Sequence, residues 1–291
     1  MIIDGTAIAR QIQDELKESI ALIKGRKPCL GVIIVGDHPA SKVYVARKTQ
    51  ACREVGIHSI TRELPANTSE QEIIAEITKF NTNDTVDGIL VQLPLPKFVN
   101  PIKVIHQINP SKDVDGLTPL NAGKLLIGES DTFIPCTPLG IKVLMERSGI
   151  EVAGQNVLII GRSNLVGKPM AAILMQAAAG GNATVTVANS KTKNLKDLSR
   201  SADIIIAAMG SPRFVTADMV KDGAVVIDVG INKIEAPNRK SGYQLVGDVD
   251  FDQVSKKCSH ITPVPGGVGP MTIAMLLSNT LKSYLNRIDN E

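Results

Sequence analysis

Residues 156–178 read NVLIIGRSNLVGKPMAAILMQAA, and this stretch decides the fold. NVLIIG (156–161) is a short apolar run closing on glycine, the pattern of a strand buried on both faces of a parallel sheet. GRSNLVG (161–167) is a turn, and an Ala-rich helix is expected over 166–179. A strand running through a glycine-bearing turn into a helix occupies the place of a Rossmann phosphate loop. Glycines there let the backbone approach a pyrophosphate, and the helix N-terminus favours its negative charge. The usual GxGxxG is altered, with Gly161 and Ser163 in place of the first two glycines and Gly167 later. Taken alone, the turn fits an ordinary strand–helix connection equally well. The downstream segments separate the two, because ATVTVAN (183–189), a short helix at 194–199, ADIIIAAMG (202–210) and GAVVIDVG (223–230) continue the alternation.

The first half carries a similar pattern. Ile8, Ile12, Leu16 and Ile20 recur at helical spacing as one buried stripe. LGVIIVG (30–36) and DGILVQLPL (87–95) read as parallel strands, the second broken by Pro94 and Pro96. Helices are expected over 40–55, closed by Gly56, over 69–80 and near 138–148, with a further strand at 57–64. The last segment, 271–288, is a helix after a Gly/Pro cluster. The expected architecture is α/β with two domains. An N-terminal domain spans 1–120, with the C-terminal helix (271–291) returning to it, and a Rossmann-type nucleotide domain spans 140–270, joined by 121–139.

Composition narrows the function. A 43% hydrophobic and 21% charged chain is that of a soluble globular protein rather than a disordered one. The net charge of +3 comes without the Lys/Arg block that tracks a nucleic-acid backbone, so no nucleic-acid partner is expected. The four cysteines (Cys29, Cys52, Cys136, Cys258) are far apart and show no CxxC spacing, which fits reduced thiols and no structural metal. No stretch reaches the ~18 apolar residues of a membrane span, and the N-terminus has no apolar signal core, so the cytoplasm is the expected compartment.

The cofactor can be argued from charge. NAD enzymes place a carboxylate at the end of the second strand, where it accepts from the ribose 2′-hydroxyl. Here that strand ends VANSKT (187–192), with the donors Asn189, Ser190 and Lys191, and Arg162 sits in the first turn. A 2′-phosphate is held by such donors and repelled by a carboxylate, so NADP is favoured. The bland alternative for Arg162 and Lys191 is a pair of solvated surface charges.

Candidate chemistry lies in the first half. Tyr44 and Lys48 stand four apart on the helix at 40–55 and so share a face. They come after VGDHPAS (35–41), just past the carboxyl end of a strand, where α/β sheets place their sites. Gln92 interrupts an apolar strand and, if buried, needs a partner. SKDVDGLTP (111–119) carries Asp113 and Asp115 in a loop that by itself reads as an Asx turn. TPVPGGVGPMT (262–272) fixes an unusual backbone path before a helix, as a rigid linker or as a wall for a flat ligand.

VGDHPASKVYVARKTQACREVGI (35–57), DGILVQLPLP (87–96), KDVDG (112–116), PCTP (135–138), GRSNLVGKP (161–169) and PGGVGPMT (265–272) occur in this order. Together they resemble the bifunctional methylenetetrahydrofolate dehydrogenase/methenyltetrahydrofolate cyclohydrolase family over essentially the whole chain. The resemblance implies NADP-dependent oxidation of 5,10-methylenetetrahydrofolate and hydrolysis of the methenyl product to 10-formyltetrahydrofolate, reactions of one-carbon metabolism that feed purine biosynthesis. It implies Lys48 as general acid/base, Tyr44 against the folate, Gln92 hydrogen-bonded to Lys48, and Asp115 anchoring the pterin. By the same resemblance Pro265 and Gly269 line the folate site. Arg162, Ser163 and Ser190 meet the NADP phosphates, Gly161 and Gly167 give backbone access, and Ile231 lies near the nicotinamide. A homodimer is implied as well. Two departures stand out. Gln50 replaces a second lysine found in many relatives, which bears on the folate tail, and Asn189 stands where some relatives have His.

The resemblance competes with a monofunctional NADP-dependent dehydrogenase, against which Lys48 argues, and with a non-catalytic NADP-binding protein. An amino-acid dehydrogenase of similar layout would need a substrate-carboxylate clamp and a catalytic Lys followed by Asp, and that set is not found.

Overall fold

In the computed structural model, which describes residues 1–237 and 242–288, the chain divides into two compact units. The first joins Arg10–Cys136 to Ile273–Glu291, and the second joins Met1–Ala9 to Thr137–Thr272. Of the expected domains, 238–241 and 289–291 lie outside the described residues. Helix α1 (Gly5–Ala21) buries Ile12, Leu16 and Ile20 from its apolar stripe, while Ile8 is only partly covered.

The first unit is built on a parallel sheet of β1 (Cys29–Val35), β2 (His58–Leu64) and β3 (Gly88–Val91) in the order β2-β1-β3. Every residue of β1 is buried, as expected of a central strand covered on both faces. Helix α2 (Pro39–Val55) connects β1 to β2. It begins on a proline, whose fixed φ suits a first turn, and ends on Gly56 at φ 86, a left-handed cap that glycine adopts without penalty. Helix α3 (Glu70–Asn81) packs Ile73, Ile77 and Phe80 against Ile33, Val35 and Ile89 in one core. Its entry is a capping box. Ser69 Oγ accepts from Glu72 N at 3.3 Å, and Glu72 accepts from Ser69 N at 2.7 Å. Ser69→Ala is therefore expected to cost about 1 kcal/mol in urea unfolding, with activity per folded molecule unchanged.

Helices α4 (Pro101–Ile105) and α5 (Pro119–Ile127) complete this stretch. The residues expected to form a connection are integrated here up to Cys136. Asn121 donates to Pro110 O at 3.0 Å and to Asp113 at 2.9 Å, and Thr132 Oγ1 donates to Asn121 O at 3.0 Å. From Ile273 onward the C-terminal helix (Val268–Ile288) packs in the same unit. Asn279 donates to Val114 O at 2.8 Å, Ser283 to Asp87 O at 2.6 Å and Tyr284 to Arg26 O at 2.9 Å. Asp87 is the centre of this arrangement. Its fully buried carboxylate takes two bonds from Arg26 at 2.7 and 2.8 Å, one from Arg287 at 3.1 Å and one from Cys29 N at 2.9 Å.

The second unit contains α6 (Cys136–Arg147) from Thr137 on, then β4 (Asn156–Ile160), α7 (Gly167–Met175), β5 (Thr184–Ala188), α8 (Leu195–Ser201), β6 (Ile204–Ala207) and β7 (Val225–Asp228). The antiparallel pair of β8 (Asn232–Glu235) with β9 (Tyr243–Val246) is an element that the sequence pattern does not announce. Helix α9 (Phe251–Val254) and β10 (His260–Ile261) come next. The main sheet is wholly parallel in the order β10-β7-β6-β4-β5. The chain moves outward from β4 to β5, then reverses to β6, so the topological switch point lies between β4 and β6. The first residues join this unit because Ile2 bridges Ile261 and Ile3 N donates to Ile261 O at 2.8 Å. Helix α7 stops at Met175 rather than 179. Gln176 turns to ψ 145, and its carbonyl accepts from Ala178 N and Asn182 N. The doubly wound, two-unit α/β class expected from sequence is the class found.

Candidate active site

Tyr44 and Lys48 sit one turn apart on α2, and Gln92 comes directly after β3. Gln92 N continues the sheet ladder by donating to Ile33 O at 2.8 Å, which holds its side chain at the carboxyl edge. Lys48 is buried to 9% exposure and donates from Nζ to Gln92 Oε1 at 3.0 Å, while Gln92 Nε2 donates to Leu93 O at 2.6 Å. The Gln92 amide is thus oriented with its oxygen toward the amine. Burial pushes the Lys48 amine below the ordinary lysine range, and the charge of Asp115 partly opposes this. Burial also pushes the Asp115 carboxyl up, against the pull of Lys48 and of hydrogen bonds from Cys136. Both groups are driven toward their neutral forms. The Tyr44 phenol is half-buried and raised for the same reason.

The loop that carries Asp115 is set by its neighbours. Asp113 is fully buried and accepts from Leu117 N at 3.1 Å and Thr118 N at 2.7 Å, so it is a scaffold residue. Gly116 has φ 67, and a Cβ there would meet Phe133 O at 2.5 Å. Cys136 is the member of this cluster that sequence reading does not assign. Its thiol donates to Val114 O at 3.3 Å, and burial beside Asp115 raises it well above the usual thiol range. Its place in the PCTP motif is the signal that could have found it. Gln50 is exposed and donates to Glu54 at 2.7 Å.

The other candidate residues lie in the second unit: Gly161, Arg162, Ser163, Gly167, Ser190, Ile231, Pro265 and Gly269. Gly161 has φ 136, and a Cβ on it would lie 2.2 Å from Ala208 O, in the loop after β6. A Cβ on Gly167 would lie 2.1 Å from Gly161 O. Both glycines are therefore dictated by close backbone approach at the switch point, which fits a pyrophosphate-binding turn despite the altered spacing. Ser163 Oγ accepts from Val166 N at 3.1 Å and shapes the entry to α7. Arg162, Ser190 and Lys191 are not buried, and Asn189 accepts from Lys191 N at 3.0 Å, forming the turn after β5 without a carboxylate. Ile231 is 48% exposed, and its Cδ1 comes within 4.0 Å of a Cβ built on Gly269. Pro265 is exposed, and the segment around it is fixed by tight packing, since a Cβ on Gly267 would lie 2.6 Å from Pro263 O.

A doubly wound unit with a glycine turn at its switch point, in one chain with a unit bearing a desolvated lysine, defines a two-domain enzyme of the NAD(P)-dependent dehydrogenase class. Residues 3–115 match the tetrahydrofolate dehydrogenase/cyclohydrolase catalytic domain, and residues 135–288 match the NAD(P)-binding domain of the same family. The chain belongs to the tetrahydrofolate dehydrogenase/cyclohydrolase family. It is 63% identical to the bifunctional protein FolD of Protochlamydia amoebophila over 98% of this chain and 97% of that protein. The bifunctional FolD crystal structure from Campylobacter jejuni superimposes with a TM-score of 0.93 at 49% identity, covering 99% of each chain. The Trypanosoma brucei methylenetetrahydrofolate dehydrogenase–cyclohydrolase, solved with NADP and an inhibitor, gives a TM-score of 0.94 at 40% identity, covering 99% of this chain and 98% of that one. Among the described residues no helix is long and apolar enough to cross a membrane.

Proposed function

We propose that this protein oxidises 5,10-methylenetetrahydrofolate with NADP⁺ and hydrolyses the resulting methenyl compound to 10-formyltetrahydrofolate. The observation that carries the reading is the buried Lys48 amine, lowered in pKa and paired to the neutral Gln92 amide in a family whose members are named for both activities. In the hydrolysis, water adds to the methenyl carbon while the neutral Lys48 amine accepts the proton that water loses, and the carbon–N5 bond then breaks as N5 takes a proton back from the Lys48 ammonium, leaving the formyl group on N10. A carboxylate at position 92 would stabilise the ammonium and oppose this role, whereas an amide does not. Asp115 holds the pterin ring, and Tyr44 lies along it. NADP⁺, when bound, supplies the hydride acceptor. Gly161 and Gly167 admit its pyrophosphate, Arg162, Ser163 and Ser190 hold its phosphates, and Ile231 lies at the nicotinamide end. The protein's contribution to oxidation is to hold two flat molecules in register. We further propose a cytoplasmic homodimer that supplies formyl groups for purine biosynthesis.

Purified protein given methylenetetrahydrofolate and NADP⁺ should reduce the nucleotide and then lose the methenyl absorbance. Reduced nucleotide with a stable methenyl product would support the monofunctional alternative, and NADP⁺ binding with neither reaction would support a binding protein. Cofactor preference rests on Arg162. Arg162→Ala should raise KM for NADP⁺ by roughly 10- to 100-fold, the loss of one charge-assisted hydrogen bond, and barely change KM for NAD⁺. Equal weakening of both would refute the 2′-phosphate assignment.

A further inference from the structure

Two buried carboxylates in the second unit lie outside the chemistry above. Asp248 is fully buried, and its two oxygens take hydrogen bonds from the loop after β6 and from the start of β8. Oδ2 accepts from Met209 N and Gly210 N, each at 2.8 Å, and Oδ1 accepts from Ser211 N at 2.9 Å and Asn232 Nδ2 at 2.8 Å. Met209, Gly210 and Ser211 form the loop after β6, and Asn232 opens β8 just beyond β7. Asp228, 3% exposed at the end of β7, holds the backbone of this anchor. Its Oδ1 accepts from Gly230 N at 3.0 Å and Asp248 N at 2.9 Å, and its Oδ2 from Val249 N at 2.9 Å. Both carboxylates are satisfied by N–H donors, which a carboxylate accepts more strongly than a neutral oxygen would.

The packing leaves no slack. A Cβ on Gly230 would lie 2.2 Å from Asp248 Oδ1, and one on Gly247 would lie 1.8 Å from Asp228 Oδ2. Ile231 is therefore bracketed. Its preceding residue is tied to Asp228 and its following residue to Asp248. The loop fixed by Asp248 continues from Ala208, whose carbonyl abuts Gly161 at the switch point. One side chain thus sets the loop backing the glycine turn and the segment that presents Ile231.

We propose that Asp248 is a positioning residue for the nicotinamide nucleotide, acting by locking the loops after β6 and β7 into one arrangement. This rests on the reading of the switch-point crevice as the NADP site. Asp248→Asn keeps the side-chain shape but turns one acceptor into a donor facing N–H groups. Asn232→Ala removes a single donor and leaves the backbone contacts of Asp248 in place. A misplaced wall should cost nucleotide affinity by about 10- to 100-fold in Asp248→Asn, with a smaller shift in the same direction in Asn232→Ala. Calorimetric titration of each variant with NADP⁺ reads this directly, independently of turnover. Cyclohydrolase activity on methenyl substrate, which consumes no nucleotide, should remain at the parent rate in both. Parallel loss of cyclohydrolase and dehydrogenase rates with unchanged NADP⁺ affinity would assign Asp248 to general stability and overturn the inference. So would parent-like NADP⁺ affinity in both variants. Failure of the parent protein to bind NADP⁺ would instead overturn the nucleotide reading, and this inference with it.

Discussion

Lys48→Met should lower methenyl hydrolysis by about 10²- to 10⁴-fold, the range expected for removal of a general acid/base, while folate binding persists. Methionine matches the apolar stem of lysine and removes a buried amine, so the fold should tolerate it. Single-turnover loss of methenyl absorbance measures the effect, and hydrolysis at the parent rate would refute the role given to Lys48. The pH dependence carries a sign. Burial lowers the Lys48 pKa, so the reactive neutral amine accumulates as pH rises through that lowered value. The hydrolysis rate should therefore rise with pH along a limb below the ~10.4 of a free lysine. Gln92→Glu places an anion where Nζ now meets an amide oxygen at 3.0 Å, and should move that limb to higher pH. A limb that stays fixed in Gln92→Glu would mean that another group titrates.

Asp87→Ala should cost about 3 kcal/mol in urea unfolding, the low end of the range for breaking a buried ion pair. The carboxylate is fully buried and receives both Arg26 and Arg287, so its removal leaves two guanidinium groups without their shared acceptor. The expected cost sits at the low end because the Arg26 side chain keeps 35% exposure and can recover water. The backbone of Asp87, which the substitution leaves in place, lies at the same junction. Its carbonyl accepts from Ser283, and its N–H donates to Cys29 O at 2.9 Å, so β1, β3 and the C-terminal helix meet at one residue. A loss below about 0.5 kcal/mol, the scale of an ordinary surface substitution, would show that the pair contributes no net stability.

Much of this is legible in the chain. The buried strands announce themselves as apolar runs closing on glycine, because parallel strands covered on both faces exclude polar side chains. The stripe of Ile12, Leu16 and Ile20 and the Ser69 to Glu72 spacing are local signals that need nothing from the rest of the molecule. Other features are opaque. Lys112 lies inside the KDVDG motif beside the candidate site residues, yet it donates to Phe80 O, Asn81 O and Asn83 O at 3.0, 2.9 and 2.8 Å. It caps the C-terminal end of α3 from a distant point in sequence, and burial pushes its amine down to about 8. Asp87 reads as an ordinary residue before a strand, and Asp248 gives no signal at all.

Local order along this chain determined the periods of its helices and strands, the doubly wound class, the glycine turn and the identity of the residues able to do chemistry. Those properties depend on side-chain spacing and backbone freedom, which act over a few residues. Tertiary structure alone decided that Lys48 is desolvated against Gln92, that Asp115 has Cys136 beside it, and that Asp248 ties two crevice loops together. Burial and shared hydrogen bonds are properties of residues brought together across long separations, and no short window of sequence contains them.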